Sequence, residues 1–258
     1  MNKLTKFISI IALCMSGYAL WKMQDIKNII LETLREEPEK ISQVTIEGFE
    51  KMRQKSMEDM QLAQQRKVVE KQADLVGSPN TPFLGKADAP IVVSEFLDFR
   101  CGHCRSCADS LAQLLRDNPD VRINIRFLPI LGDESAKIAL YAMMAHKAGK
   151  FPEFYKKMMA SVFPDDVAAE GILAAMRIKT KTPEAKKQQT ELSEQIINDT
   201  MLAQELEISA TPCFILGDKI IVGAQIKSLA DAIQEARNPS TKMTNTDTDK
   251  ERDQTSEK

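Results

Sequence analysis

The sequence has little net charge, few cysteines and no apolar run long enough to span a membrane comfortably. Among 258 residues, 35 basic side chains are balanced by 37 acidic ones, which gives a formal net charge of -2. This balance provides neither the clustered positive charge of a nucleic-acid-binding protein nor a polybasic membrane patch. Apolar residues make up 43% of the chain, enough for one compact domain with appendages.

The N-terminus carries the longest uncharged stretch. Lys3 and Lys6 precede residues 7–21, a run of 15 uncharged residues, whereas a membrane-spanning helix needs about 20. Positive charge before a short apolar run is typical of a secretory signal, and the small residues near Ala19 predict cleavage there. We expect residues 1–19 to be a signal peptide and the rest to function outside the cytosol. An uncleaved anchor and a cytosolic protein with an apolar N-terminus are the alternatives.

Five cysteines are present, and Cys14 falls within the predicted signal peptide. Three of the remaining four lie within seven residues. In a chain large enough to fold around its own core, such crowding favours catalysis or metal binding over structural bridging. The four cysteines of the mature chain are Cys101, Cys104, Cys107 and Cys213.

The segment before the main domain is charged and lacks strand patterning. Its apolar residues recur at three-, four- and five-residue steps, which predicts two amphipathic helices broken near Pro38. So narrow an apolar stripe must pack on its own domain or on a second copy of itself. We therefore assign residues 20–76 to a helical oligomerisation segment. The stripe comprises Ile26, Ile29, Ile30, Leu34, Ile41, Val44, Phe49 and Met52.

Residues 77–237 have the pattern of an α/β domain. Residues 77–89 contain two prolines with Gly, Asn and Asp, which predicts a linker into this domain. Residues 238–258 are polar and charged, which predicts a disordered tail. The predicted elements between them are a strand at 91–99, a helix from the cysteines to about 118, a strand at 121–131, helices over 134–205, two strands joined at Gly217, and a helix at 226–237.

A single Cys-x-x-Cys pair, Cys101 and Cys104, follows the first of these strands and opens the helix. A helix N-terminus favours a thiolate, and the imidazolium of His103 would stabilise the same anion. Structural zinc sites usually need four ligands in two pairs, so a redox pair without metal or other cofactor is the favoured interpretation. Two alternatives remain. Copper or zinc could be held by this pair with Cys213, or the protein could be a non-catalytic surface protein.

Two segments carry a family resemblance. EFLDFRCGHC, at 95–104, resembles the active-site strand and helix of DsbA-like thioredoxin-fold protein disulfide oxidoreductases. ISATPCFILGDKIIVGA, at 208–224, is similar to their cis-proline loop and closing hairpin. The resemblance covers about residues 80–237 and implies an α/β thioredoxin fold with an all-helical insertion. Residues 26–55 resemble the N-terminal oligomerisation region of a subgroup that includes ScsC-like proteins and dimeric DsbA variants.

The resemblance implies a role for each residue of the cysteine motif. Cys101 would exchange disulfides with the substrate, and Cys104 would resolve the mixed disulfide. Glu95, six residues before Cys101, would be the family's buried acid, which relays protons to and from Cys104. Cys107 lies about 120° round the helix and roughly 9 Å along it from Cys101, so those two cannot bond without unwinding the helix.

The second segment implies a substrate-binding loop. The bond between Thr211 and Pro212 would be cis, and the Thr211 backbone would pair with an extended substrate as an added strand. Cys213 follows directly and would lie near the docking substrate, although a buried strand thiol is the alternative.

The same resemblance implies partners and a location. Substrates would be reduced or misbonded exported proteins in the periplasm. A membrane redox partner would either reoxidise the pair through a quinone-linked oxidase or donate electrons to it. Gly102 and His103 form the dipeptide found in protein disulfide isomerases, which implies isomerisation as well as oxidation. The N-terminal segment implies a homo-oligomer, with a dimer favoured over a trimer, and no nucleic acid is expected among the partners.

Overall fold

A computed structural model describes residues 22, 24–28, 32, 38–78 and 80–238. The predicted signal peptide and residues 239–258 of the predicted tail lie outside the described residues. The chain divides into two compact units, residues 1–61 and residues 62–258. Among the helices of the described residues, none has the length and apolar character needed to cross a membrane.

The first unit contains most of a long helix, α1 (Pro38–Glu70). The helix begins at Pro38, where the fixed proline φ suits the first turn and the missing N–H has no helical partner to lose. Its apolar residues Ile46, Phe49 and Met52 are all more than half exposed in the single chain. Of the predicted stripe, Ile26, Phe49 and Met52 are described and are at least half exposed, and the side chains of its other members lie outside the described residues.

The second unit is built on a five-stranded sheet in the order β1-β3-β2-β4-β5. The central pair, β2 and β3, is parallel, and the other three pairs are antiparallel. This arrangement, with helices around it, confirms the predicted α/β thioredoxin fold. The strands are β1 (Phe83–Gly85), β2 (Ile91–Leu97), β3 (Val121–Phe127), β4 (Cys213–Leu216) and β5 (Lys219–Val222).

Three predicted boundaries in this sheet were wrong, and the first is the end of the strand predicted at 91–99, which stops at Leu97. The predicted linker contains β1, because Phe83 and Leu84 pair with β3 instead of remaining in an open turn. The second predicted strand ends at Phe127, four residues early. Pro129 follows closely and has no N–H to donate to a ladder, and the next residues, Ile130 and Leu131, are exposed.

The described part of the second unit contains seven further helices. The predicted helical insertion is confirmed as four helices, α4 to α7. Two of them begin at side-chain caps: Asp165 accepts from the Ala168 N–H, and Thr182 accepts from the Ala185 N–H. The helices are α2 (Gln72–Val76), α3 (Gly102–Asp117), α4 (Asp133–Lys147), α5 (Phe151–Met159), α6 (Asp166–Ala175), α7 (Pro183–Glu205) and α8 (Ile226–Arg237).

Alternating strand residues divide the core into two clusters, one on each face of the sheet. The first cluster contains the buried faces of α3, α5 and α8. The second contains Val68 of α1, Leu75 of α2 and Leu202 of α7. Residues 62–76 thus pack on the sheet, whereas the sequence analysis placed the whole of residues 20–76 in a separate helical segment. The physical reason is the burial of Val68 and Leu75, which are at most 2% exposed.

Polar side chains on the second face hold α2 in place. Ser94 Oγ donates to the Leu75 carbonyl at 2.7 Å, and Asn124 Nδ2 donates to the Val76 carbonyl. The Arg126 guanidinium donates to the same Leu75 carbonyl at 3.2 Å and forms a buried ion pair with Asp199 at 2.9 Å. The last carbonyls of a helix have no partner within it, so these contacts satisfy the C-terminal end of α2.

Candidate active site

The cysteine motif lies where β2 leads into α3. Cys101 is the N-cap residue of α3, with extended backbone angles, and its N–H donates to the Asp98 carbonyl at 3.0 Å. The Asp98 carboxylate accepts from the N–H groups of Arg100 at 2.8 Å and Leu131 at 3.0 Å. These bonds fix the loop, so the Cys101 thiol is held at a helix N-terminus, where the dipole favours an anion.

The loop before β4 meets this thiol. Cys101 Sγ donates to the Thr211 carbonyl oxygen at 3.2 Å, although the two residues are 110 positions apart. The peptide bond between Thr211 and Pro212 is cis, which confirms that prediction. Cys101 is 8% exposed, and the fold therefore brings the candidate nucleophile and the candidate substrate-binding loop into direct contact near the surface.

Cys104 lies one turn further along α3 and is completely buried. Burial raises the pKa of its thiol well above the ordinary value, and the nearby charge of Glu95 raises it further. A thiol in this position needs a base before it can act as a nucleophile. His103, between the two cysteines, is exposed in the first turn of the helix.

Glu95 occupies the buried position expected for an acid beneath the pair. It lies on β2 between Ile125 of β3 and Phe214 of β4. Its side chain is on the face of the sheet that the first cluster covers. Its side chain is 0% exposed, and neither carboxylate oxygen has a hydrogen-bond partner among the described residues. Burial raises the pKa of this carboxyl to about 8. Glu95 therefore holds a proton at neutral pH and exchanges it at mildly alkaline pH.

Cys213 has the position of the second alternative, a buried strand thiol. It lies on β4 opposite Phe96, and both belong to the second cluster, whereas the next residue, Phe214, belongs to the first cluster with Cys101 and Cys104. Successive strand residues point to opposite faces, so the Cys213 thiol points away from the substrate side. It is 0% exposed, and burial raises its pKa to about 12.

Cys107 is also buried, and the arrangement of the cysteines does not favour the metal alternative. Cys107 is buried, its Sγ donates to the Cys104 carbonyl at 3.3 Å, and burial followed by the charge of Glu95 raises its pKa to about 12. The ligand set that combined Cys213 with the Cys-x-x-Cys pair would need atoms from both faces of the sheet. Within the described residues, no group of three His, Cys, Asp or Glu side chains could hold a metal ion.

Two residues near the site, Arg105 and Tyr155, were not predicted from the sequence. Arg105 lies on the first turns of α3 and donates to the carbonyls of Met159 and Ser161, which ties the cysteine helix to the end of α5. Tyr155 of α5 is buried in the first cluster with Cys104 and Cys107, and burial followed by the charge of Glu95 raises its pKa. Its only signal in the sequence was a hydroxyl among apolar helix residues, and that pattern indicated core packing.

Comparison with known proteins identifies the family. Residues 77–235 match a family model described as thioredoxin. The chain belongs to the thioredoxin family. Disulfide bond formation protein D of Bacillus subtilis is 27% identical over 155 residues, which cover 54% of this chain and 69% of that protein.

Solved structures show the same relationship. A thioredoxin-like oxidoreductase from Silicibacter pomeroyi is 29% identical, with a TM-score of 0.58, and the match covers 63% of this chain and 95% of that one. BcfH of Salmonella enterica Typhimurium shares the fold at 19% identity, with a TM-score of 0.64 over 86% of this chain and 99% of that one. Together with the family match, the Bacillus and Silicibacter relatives confirm a DsbA-like thioredoxin-fold oxidoreductase, and BcfH supports the fold alone.

Proposed function

We propose that this family member forms and isomerises disulfide bonds in exported proteins of the periplasm, with Cys101 and Cys104 as its redox pair. The observation that carries the proposal is the position of Cys101. Its sulfur lies at the start of α3 and 3.2 Å from the Thr211 carbonyl, while Cys104 is buried one turn along the helix. One thiol is thus available to substrate and the other is shielded from it.

The oxidising reaction uses this asymmetry. A substrate thiolate attacks Cys101 Sγ of the Cys101–Cys104 disulfide, and Cys104 leaves with the electron pair of the broken bond. Glu95 donates its proton to the Cys104 thiolate, which would otherwise be a buried anion. A second substrate thiolate then attacks the substrate sulfur of the mixed disulfide and displaces Cys101. The substrate gains one disulfide, and the pair gains two electrons.

Substrate binding is assigned to the cis-proline loop. The Thr211 carbonyl already accepts a bond from Cys101, so a peptide laid beside this loop would bring its own sulfur next to Cys101. Backbone pairing of this kind depends on main-chain hydrogen bonds and not on particular side chains. The loop could therefore bind substrates of many sequences, as a general disulfide enzyme requires. In this proposal Pro212 shapes the loop and Cys213 contributes only to the packing behind it.

Isomerisation is supported by two features of this chain. Gly102 and His103 separate the cysteines, and the exposed His103 would stabilise the Cys101 thiolate that forms when Cys101 leaves a mixed disulfide. The exposed apolar residues of α1 would join copies into a homo-oligomer, with a dimer favoured over a trimer. Two or more active sites could then act on one misbonded protein.

The proposed location and redox partner follow from the predicted export signal. Residues 1–19 would direct the chain to the periplasm, where thiols tend to be oxidised. Either a quinone-linked oxidase or an electron-donating reductase in the membrane would reset the pair after each turnover.

Single-cysteine variants test the proposed pair. Cys101→Ser should abolish oxidation of a reduced test protein, because no sulfur remains for the substrate to reach. Cys107→Ala is the matched control, since it also removes a buried α3 thiol but leaves the pair intact. Oxidation by Cys101→Ser at a rate near that of the control would show that Cys101 does not carry the reaction.

A further inference from the structure

Tyr155 stands out within the aromatic cluster beside the cysteine helix. Its ring centroid lies 6.0 Å from those of both Phe99 and Phe151. Phe127 and Phe154 of this cluster are phenylalanines too, and the ring of His146 lies 6.3 Å from that of Phe151. Packing alone would be served by a fifth phenylalanine. Instead, a hydroxyl is buried here, and it has no hydrogen-bond partner among the described residues.

The sheet face that the first cluster covers also holds an unpartnered acid, Glu95. Both carboxylate oxygens of Glu95 are buried and also lack a partner within the described residues. Buried polar atoms are rarely left without a partner, so each of these groups requires an explanation. The pKa of Tyr155 is raised first by burial and then by the charges of Glu95, Cys107 and Cys104, and Glu95 is thus its foremost charged neighbour.

The groups that face Glu95 come from each element packed against it. Helix α3 contributes the Cys104 and Cys107 thiols, and α5 contributes the Tyr155 hydroxyl. The neighbouring strands contribute the apolar side chains Ile125 and Phe214. Glu95 can accept the proton of Cys104 only after it has ionised. Its carboxylate must therefore exist as a buried anion among these groups. A hydrogen bond from an uncharged donor would stabilise that anion.

We propose that Tyr155 is a positioning residue for thiol exchange, whose hydroxyl donates a hydrogen bond to the ionised Glu95 carboxylate, directly or through one buried water. This inference rests on the proposed function. The hydrogen bond from Tyr155 would set the pH at which Glu95 ionises and becomes a base for Cys104. Tyr155 does not touch the reacting sulfurs in this role and acts only through Glu95.

The affected step is resolution of a mixed disulfide at Cys101. Glu95 takes the proton of the Cys104 thiol, and the resulting thiolate attacks Cys101 Sγ. A bond forms between the two cysteine sulfurs, the bond from Cys101 to the substrate sulfur breaks, and the substrate leaves as a thiolate with that electron pair. The pair is thereby oxidised and the substrate sulfur reduced, with no outside reagent.

Ellman's reagent separates this step from the first one. Reduced protein attacks the reagent through Cys101 and releases one thionitrobenzoate, and attack by Cys104 then releases a second. Burial alone raises the pKa of Glu95 to about 8, so with the hydrogen bond from Tyr155 the rate of the second phase should rise with a midpoint below about 8. Tyr155→Phe should move this midpoint upward by about one pH unit and slow the second phase about tenfold below it, with the plateau at high pH unchanged. Tyr141→Phe, on α4, is the matched control.

A second perturbation acts on the same bond in the opposite direction. Replacement of tyrosine by fluorotyrosine in the Tyr141→Phe protein strengthens the donor, so the midpoint should fall. It also provides a test should Tyr155→Phe fold poorly. Equal midpoints in the wild type and in either perturbed protein would overturn the role of Tyr155. Loss of the first phase in the wild type would instead overturn the proposed function, so the two failures are distinguishable.

Discussion

Replacement of Glu95 by glutamine should change how the stability of the protein depends on pH. The carboxyl is 0% exposed and burial raises its pKa to about 8 from an ordinary value of 4.5. Glutamine has nearly the same shape but cannot ionise. The wild type must either keep Glu95 protonated or bury an anion, whereas Glu95→Gln faces neither cost.

The sign and size of the effect follow from proton linkage. Between pH 4.5 and about 8 the folded protein keeps a proton on Glu95 that the unfolded chain has released. The Glu95 contribution to stability is therefore complete below pH 4.5 and is lost as pH rises to about 8. The slope is about 1.4 kcal/mol per pH unit, which gives a total of roughly 5 kcal/mol over this range.

Urea unfolding of the reduced wild type and Glu95→Gln, measured from pH 4 to 9, tests this reasoning. Relative to the wild type, the variant should become more stable as pH rises, by an amount that levels off above the pKa of Glu95. Glu194→Gln, which removes an exposed carboxylate from α7, is the matched control. A stability difference between the wild type and Glu95→Gln that stays constant with pH would show that Glu95 is not a buried proton carrier.

Two further predictions concern the rest of the chain. Removal of one partner of the buried Arg126–Asp199 pair, as in Asp199→Ala, should lower the free energy of unfolding by about 3–5 kcal/mol, because the other charge is left buried. If the losses of unfolding free energy in Asp199→Ala and Arg126→Met simply add in the double variant, the two side chains do not stabilise each other and this prediction is wrong. Deletion of residues 20–61 should leave a folded monomer that oxidises thiols but isomerises poorly, and light scattering that shows the full mature protein to be a monomer would contradict the oligomer.

The cysteine motif and the cis-proline loop could be predicted because their chemistry is local in sequence. Cys101 at a strand-to-helix junction and the Thr-Pro pair before a strand both carry recognisable signals. Their contact at 3.2 Å follows from the fold that those signals indicate. The burial of Glu95 was likewise expected, because the family resemblance implied a buried acid six residues before Cys101.

Other features depend on contacts that no local pattern reveals. The face to which Cys213 points is set by strand register, and a one-residue shift would have reversed it. Residues 62–76 have the same charged, helical character as the segment before them. Val68 and Leu75 nevertheless pack in a cluster whose other members are mostly distant in sequence. Tyr155 reaches the core beside the cysteine helix only because α5 of the insertion packs on that helix.

The most direct test of the account is the fate of the mixed disulfide in Cys104→Ser. If Cys101 is the exchanging thiol and Cys104 resolves it, this variant should accumulate covalent complexes with exported proteins in the periplasm. Those complexes should disappear on reduction and should be absent from a Cys101→Ser, Cys104→Ser double variant. Cys104→Ser without such complexes, or complexes that persist in the double variant, would contradict the assignment of Cys101 and Cys104 as the redox pair.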